Sequence, residues 1–392
     1  MKCSIVMTGG VVKGAFQTGV LKSLAERNII PSVVVGASAG ALNAGMTTKL
    51  IAEDNFKPEV IEDQMIKVWL YETSLMNLWG ESTNKNNTIR DILGINTNPF
   101  MIIKKLSNFE IEIWEKLKKI LSLSFLSVFN NESLMKVLNN YIKAPNEILN
   151  DVKCAVSLTD LLGHTEIINN QKINNYSEYV TFEFKKGDND KLREKFKLLR
   201  EVILASASFP GMFPPFEIDI KKDGNKRLYI DGGITKNAPF GRAIKLDSEV
   251  EYVFLISTTN ISKPVINSIS TFTDLISQLY EIIITKDIAN DYRKVIQINE
   301  KINILSNLLE KDKNNIIIDN KKNNDLCKLA GFKNVKDYLS KRIVKIIFIE
   351  PEKPLEGDPF AGIYRKDNRK ILENYINEGY KVGNKVLDNF FN

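Results

Sequence analysis

Val33-Val34-Val35-Gly36-Ala37-Ser38-Ala39-Gly40-Ala41-Leu42-Asn43-Ala44-Gly45-Met46 is the stretch that decides how the 392-residue chain reads. Val33, Val34 and Val35 are β-branched and uncharged, the pattern of a buried strand. Ala41 to Met46 reads as the start of a helix, and the small Ala37, Ala39 and Ala41 let that helix pack close to a sheet. Between strand and helix stands G-x-S-x-G. A strand running into a tight turn and then a helix lifts a serine clear of the backbone, and glycines two residues either side relieve the crowding. A serine hydroxyl also needs a base to take its proton before it can attack a carbonyl.

The chain opens on the same pattern. Cys3-Ser4-Ile5-Val6-Met7 reads as a strand, Thr8 to Gly14 as a loop, and Ala15-Phe16-Gln17-Thr18-Gly19-Val20-Leu21 as the start of a helix. Backbone N–H groups at such a junction face whatever anion sits there. In acyl transfer that anion is the tetrahedral oxyanion, and losing one donor costs about 10²–10³ in rate. Gly9 to Gly14 has the glycine spacing of a nucleotide P-loop, but Ala15-Phe16 stand where Lys and Ser or Thr are needed. A dinucleotide fingerprint fails too, because Val11 stands where its second glycine belongs.

A base must come from elsewhere in the chain. The only histidine is His164. Val156-Ser157-Leu158 and Glu166-Ile167-Ile168 read as two strands, which puts His164 in their turn, a setting for a solvated residue. A Ser-His-Asp triad therefore has one weak candidate. Asp231, after the apolar run Leu228-Tyr229-Ile230 and before Gly232-Gly233, sits at a strand end on a turn. Burial among apolar groups raises a carboxyl pKa, so a direct Ser38–Asp231 dyad is workable, with Asp231 returning the proton to the leaving group.

Taken together, these blocks resemble the patatin-like phospholipases. Met7 to Phe16 is similar to the family's oxyanion loop, G-G-G-x-R/K-G, and Gly36 to Gly40 to its serine elbow. Ala205-Ser206-Ala207-Ser208-Phe209-Pro210-Gly211-Met212-Phe213-Pro214-Pro215 resembles its A-S-x-x-x-P-x-x-F-P-P segment. Asp231-Gly232-Gly233 with Asn237-Ala238-Pro239 resembles its D-G-G/A…N-x-P block. The likeness covers about residues 1–50 and 125–262, with a weaker echo from Ile343 onward. It implies an α/β class fold: three α/β/α layers, a mainly parallel central sheet and added helices. It also implies Ser38 as nucleophile and Asp231 as base. Gly9, Gly10 and Val11 would supply the oxyanion hole, and Lys13 nearby positive charge. Val11 departs from the family, which usually has a third glycine there, and a β-branched residue resists positive φ. The implied activity is hydrolysis of acyl groups from phospholipids or other acyl lipids, with no cofactor.

The alternation of strands and helices also predicts an α/β sheet with its site at the strand ends. The first strand starts within a few residues of Met1, leaving no room for a signal peptide. Cys3, Cys154 and Cys327 form no framework, which suits a reducing compartment. The expected location is cytoplasmic, with peripheral contact at a membrane left open. One histidine and three scattered cysteines do not make a usual zinc site. No stretch approaches the roughly 18 apolar residues of a spanning helix.

The expected organisation is a single catalytic domain over 1–392 with two additions. A helical insertion runs about 61–129 and contains Trp114-Glu115-Lys116-Leu117-Lys118-Lys119 followed by the apolar Ile120 to Phe129. These read as a helix packed on the core or as a lid at a lipid surface. A helical, basic extension runs about 265–342, with Ile302, Ile304, Leu305, Leu308 and Leu309 as an apolar face and Lys311 to Asn324 as a connection. The stretch Asp291 to Lys345 carries a surplus of positive charge equal to the whole net charge of +6. It reads as a solvated face, an oligomer contact or a steer toward anionic lipid. No nucleic-acid motif accompanies it. A non-catalytic lipid-binding protein on the same fold is the competing class, with Val11 as its one support.

Overall fold

The computed structural model describes residues 1–72, 131–168, 170–261, 272–308, 321–355 and 368–391. The chain opens with β1 (Cys3–Met7), a 3-10 turn (Val11–Gly14), α1 (Ala15–Glu26), β2 (Val33–Gly36) and α2 (Ala39–Ala52). Next come α3 (Pro58–Val60), continuing as π-helical turns Ile61–Ile66 and Val68–Glu72, and then α4 (Asn131–Tyr141). A long hairpin follows, β3 (Val152–Ile168) and β4 (Gln171–Phe184), then α5 (Leu192–Ser206). The short β5 (Phe216–Ile218) and β6 (Arg227–Ile230) lead to α6 (Phe240–Leu246) and β7 (Tyr252–Ile256). The chain ends with α7 (Phe272–Leu308), α8 (Lys321–Leu329), α9 (Val335–Leu339), β8 (Lys345–Ile349) and α10 (Asn368–Phe391).

Among the described residues the strands form one sheet in the order β5-β6-β3-β2-β1-β7-β8, with β4 also paired to β3. The central run β3-β2-β1-β7-β8 is parallel. Every residue of β1 and β2 is buried, as expected of parallel strands covered on both faces. Strands β4, β5 and β6 join antiparallel at one side. Helix α2 packs on β1, β2 and β3, while α6 crosses the same strands. Helix α10 lies along α1, α5 against α2, and α7 against α6. The result is a three-layer α/β/α fold with a mainly parallel central sheet.

Topology brings the loop ends together. The C-terminal ends of β1 and β2 lie side by side, with Met7 paired to Gly36. Gly36 also pairs with Val156 of β3. Strand β6 enters antiparallel, with Ile230 opposite Thr159. Its C-terminal end therefore arrives level with the end of β2, and Asp231 follows at once.

One expectation changes. His164 is not in a turn between two strands. Residues Val152 to Ile168 form one strand, and its pairing with β4 shifts between Thr159 and His164, where Gly163 takes φ 64°. The bulge interrupts the apolar alternation, which is why one strand reads as two. At the start of the expected insertion, Ile61, Met65, Val68 and Trp69 are buried in the core. Trp114 to Phe129 lie outside the described residues, as do Leu309 and most of the Lys311 to Asn324 connection, whose last four residues open α8. In the basic extension Ile302 and Leu305 pack with Cys327, Phe332, Val335 and Tyr338 in a small second core, while Ile304 faces outward.

Candidate active site

Ser38 sits between β2 and α2 with φ 54° and ψ −125°, a conformation an L-residue holds only under strain. The turn is too tight for side chains at its glycines. A Cβ on Gly36 would stand 2.2 Å from the Gly40 carbonyl oxygen, and one on Gly40 would stand 2.3 Å from that of Met7. The Ser38 N–H donates to Ser206 Oγ at 2.9 Å. These constraints fix where the hydroxyl points.

It points at Asp231. Ser38 Oγ donates to Asp231 Oδ2 at 2.5 Å, with Ser38 3% exposed and Asp231 fully buried. Asp231 Oδ1 accepts the Gly233 N–H at 2.7 Å, capping the turn Gly232–Ile234. The Asp231 N–H donates to the Ser208 carbonyl at 3.0 Å, and its own carbonyl accepts from Thr159 Oγ1 at 2.8 Å. Burial pushes the Asp231 carboxyl up to about 7, while the hydrogen bonds from Ser38 and Gly233 and the Tyr280 hydroxyl pull it back. A buried carboxylate held near neutrality is poised for proton transfer.

The first loop wraps the serine. Val11–Gly14 is a single 3-10 turn closed by the Lys13 N–H donating to the Gly10 carbonyl at 3.0 Å. N–H groups at the start of a helical turn have no acceptor within it, so the turn itself supplies none to those of Gly10 and Val11. Val11 takes φ 52°, the left-handed region that the sequence marks as unfavourable for a β-branched residue. The Gly9 N–H is already committed to Asn237 Oδ1 at 2.7 Å. The Lys13 ammonium is paired with Glu281 Oε1 at 2.7 Å, so its charge is balanced.

Residues with no expected role hold this loop in place. Thr258 Oγ1 donates to the Gly9 carbonyl at 2.6 Å, and Gln17 Nε2 to the Thr8 carbonyl at 2.7 Å. Asn43 Nδ2 donates to the Gly14 carbonyl and to Gln17 Oε1, and its Oδ1 accepts from Trp69 Nε1 at 2.9 Å. Asp287 of α7 accepts from the Asn237 N–H at 2.8 Å and from Lys236 Nζ at 2.9 Å, which sets the asparagine against Gly9. Tyr280, Asp287 and Asp291 fall on one side of α7 with the buried Ile284 and Ile288. Acids and a phenol in register with an apolar stripe were the available signal.

An apolar cavity of about 80 Å³ opens beside Ser38, walled by Val11, Leu42, Trp69, Leu134, Ile203 and Phe213. A second cavity, of about 620 Å³, lies between α6 and α7 and is bordered by Lys236, Arg242, Lys294, Lys341 and Arg342. It is larger, but it contains neither Ser38 nor Asp231. His164 is elsewhere: its Nε2 lies 3.4 Å from Glu166 Oε1. Arg227, four residues before Asp231, pairs with Asp160 at 2.6 Å and reaches the Gly163 carbonyl beside the histidine. Asp160, His164 and Glu178 bring ligand-type atoms within 4.8 Å of one another, and Arg227 already supplies positive charge there. Among the described residues no helix is long and apolar enough to cross a membrane.

Comparison with known proteins bears on the same blocks. A sequence model of the family described as Patatin-like phospholipase matches residues 5–244. Among solved structures the chain is similar to VipD from Legionella pneumophila, at 14% identity and a TM-score of 0.40, covering 99% of this chain and 67% of that one. It is similar to human GIVD cytosolic phospholipase A2, at 10% identity and a TM-score of 0.33, covering 71% of this chain and 47% of that one. It is also similar to the heterodimeric complex ExoU-SpcU from the type III secretion system of Pseudomonas aeruginosa, at 13% identity and a TM-score of 0.25, covering 86% and 74%. No curated protein sequence matches. The family match takes in β1 through α6, more than half of the chain, and the chain belongs to the patatin-like phospholipases, a family of lipid hydrolases.

Proposed function

We propose that this protein is a lipid acyl hydrolase of the phospholipase A or lysophospholipase type, working through a Ser38 acyl-enzyme with Asp231 as general base. The observation that carries the reading is the buried hydrogen bond from Ser38 Oγ to Asp231 Oδ2. Ser38 attacks the ester carbonyl as its proton passes to Asp231. The ester C–O bond breaks, and Asp231 gives the proton to the leaving alcohol oxygen. Water then attacks the acyl-enzyme as Asp231 takes its proton, the acyl C–Oγ bond breaks, and Asp231 returns that proton to Ser38 Oγ as the fatty acid is released. The oxyanion rests on the Gly10 and Val11 amides. Gly9 serves by anchoring the loop to Asn237, and Lys13 by anchoring it to Glu281.

The cavity beside Ser38 is the seat of the acyl chain. Leu275, Leu279 and Ile282 are exposed along one side of α7, and this supports contact with a lipid surface. One main core draws on residues from Cys3 to Leu387, with the small second core inside the basic extension, and this supports a single catalytic domain.

The test is fatty-acid release from mixed-chain phospholipid vesicles by wild type, Ser38→Ala and Asp231→Ala. Release by wild type and at least about a 10³-fold loss in both variants is expected. The released chain reports the position cut. Equal release by either variant would overturn the dyad.

A further inference from the structure

Tyr280 reaches the dyad from α7, beyond residue 244, where the family match ends. The ring is 4% exposed and stands edge-on to Phe209, with centroids 4.9 Å apart. Its hydroxyl is wedged between two glycines. The point where a side chain on Gly9 would begin is 2.7 Å from Tyr280 Oη, 2.8 Å from Asn237 Oδ1 and 2.8 Å from Ser38 Cβ. The matching point on Gly233 is 2.8 Å from Tyr280 Oη and 3.0 Å from Asp231 Oδ1. The hydroxyl thus interacts with both Ser38 and Asp231, yet it makes no well-aligned hydrogen bond of its own. Burial, and then the charge of Asp231, hold the phenol well above its ordinary value, so it remains an O–H donor.

A buried hydroxyl without an aligned partner costs stability, and phenylalanine would fill the same space without that cost. Packing alone does not account for the oxygen. We propose that Tyr280 is a positioning residue of this hydrolase, whose O–H donates to the ionised Asp231 carboxylate and holds it toward Ser38 for proton transfer. This rests on the dyad reading above. The Ser38 proton moves to Asp231 Oδ2 as the Oγ–acyl bond forms, and the phenolic proton stays on Tyr280 throughout.

The experiment compares wild type with Tyr280→Phe in two assays. Turnover of mixed-chain phosphatidylcholine vesicles, measured from pH 5 to 9, should show kcat reduced about tenfold with KM unchanged. The half-point of the kcat/KM limb should rise by about one pH unit, because the carboxylate loses a donor. The melting temperature should be unchanged or higher. Unchanged kcat and half-point would overturn the proposal, as would a loss of kcat explained by a lower melting temperature with the half-point fixed. The second assay needs no turnover. The pH midpoint of folding stability should move upward in Tyr280→Phe, and the substitution should move nothing in an Asp231→Asn background. No movement in the first case overturns the Tyr280 proposal whether or not the wild type is active, whereas an inactive wild type with the shift present counts against the dyad reading alone.

Discussion

Lys13 and Glu281, 268 positions apart, meet in an ion pair at 2.7 Å with side chains only 5% and 11% exposed. The pair ties the first loop to α7, and two more contacts repeat the tie. Lys236 and Asn237 are held by Asp287, and Asn237 in turn holds Gly9. The helix outside the family match is therefore part of how the loop keeps its shape.

That relationship predicts non-additivity. Lys13→Met leaves a buried carboxylate and Glu281→Leu a buried ammonium, and each should cost about 3 kcal/mol in denaturant unfolding. The double variant should cost clearly less than the sum, because no lone charge remains. Simple additivity would mean the two groups do not interact in solution.

Asp231 gives a pH prediction with two opposite signs. Its folded value is near 7 because of burial, above the ordinary 3.8. The proposed mechanism uses the carboxylate as base, so kcat/KM should climb with pH, reach half its maximum near pH 7 and level off above. Stability should run the other way. Between those two values the folded state holds a proton that the unfolded chain has lost. This contribution is complete below the unfolded value and disappears as pH rises through about 7. Asp231→Asn should therefore abolish release and raise the melting temperature at pH 8, with the gain vanishing near pH 4. An equal gain at both pH values would mean that the carboxylate ionises as easily inside the fold as outside.

The elbow should respond to a single methyl. Gly40→Ala places a Cβ 2.3 Å from the Met7 carbonyl oxygen, in backbone that has nowhere to go. A loss of about 1–3 kcal/mol is expected, together with loss of turnover as Ser38 turns away from Asp231. Gly241→Ala, in α6 with nothing within 4 Å of the new methyl, is the control and should be neutral or mildly stabilising. Matching melting temperatures for the two variants would mean the elbow relaxes.

Much of this was legible in the sequence for a physical reason. β1, β2, the elbow and Asp231 are local patterns: an uncharged β-branched run, a glycine-bounded serine, a carboxylate at a strand end. The position of His164 was not legible, because a bulge at Gly163 breaks the alternation within one long strand. Nor were Tyr280, Glu281 and Asp287. They come from a helix read as a basic appendage, and only the fold reveals that its acids and phenol face the loop. The Ala205 to Pro215 segment was read as shaping the site. Its Ser206 and Ser208 in fact bond the backbones of Ser38 and Asp231.

His164 supplies the sharpest separation of mechanisms. An activity limb centred near pH 7 is ordinarily the mark of histidine, and this chain has one. Its Nε2 pairs with Glu166 on a partly exposed hairpin, and the bulge beside it at Gly163 is contacted by Arg227. His164→Ala should change stability by less than about 0.5 kcal/mol, as for an ordinary surface substitution. It should retain full turnover, and the limb near pH 7 should remain in place, because the proposed dyad has Asp231 and not imidazole as its base. If the limb disappears from His164→Ala, or turnover falls with it, the base is the histidine and Asp231 only caps its turn. If both persist, the half-point near neutrality belongs to the buried carboxylate.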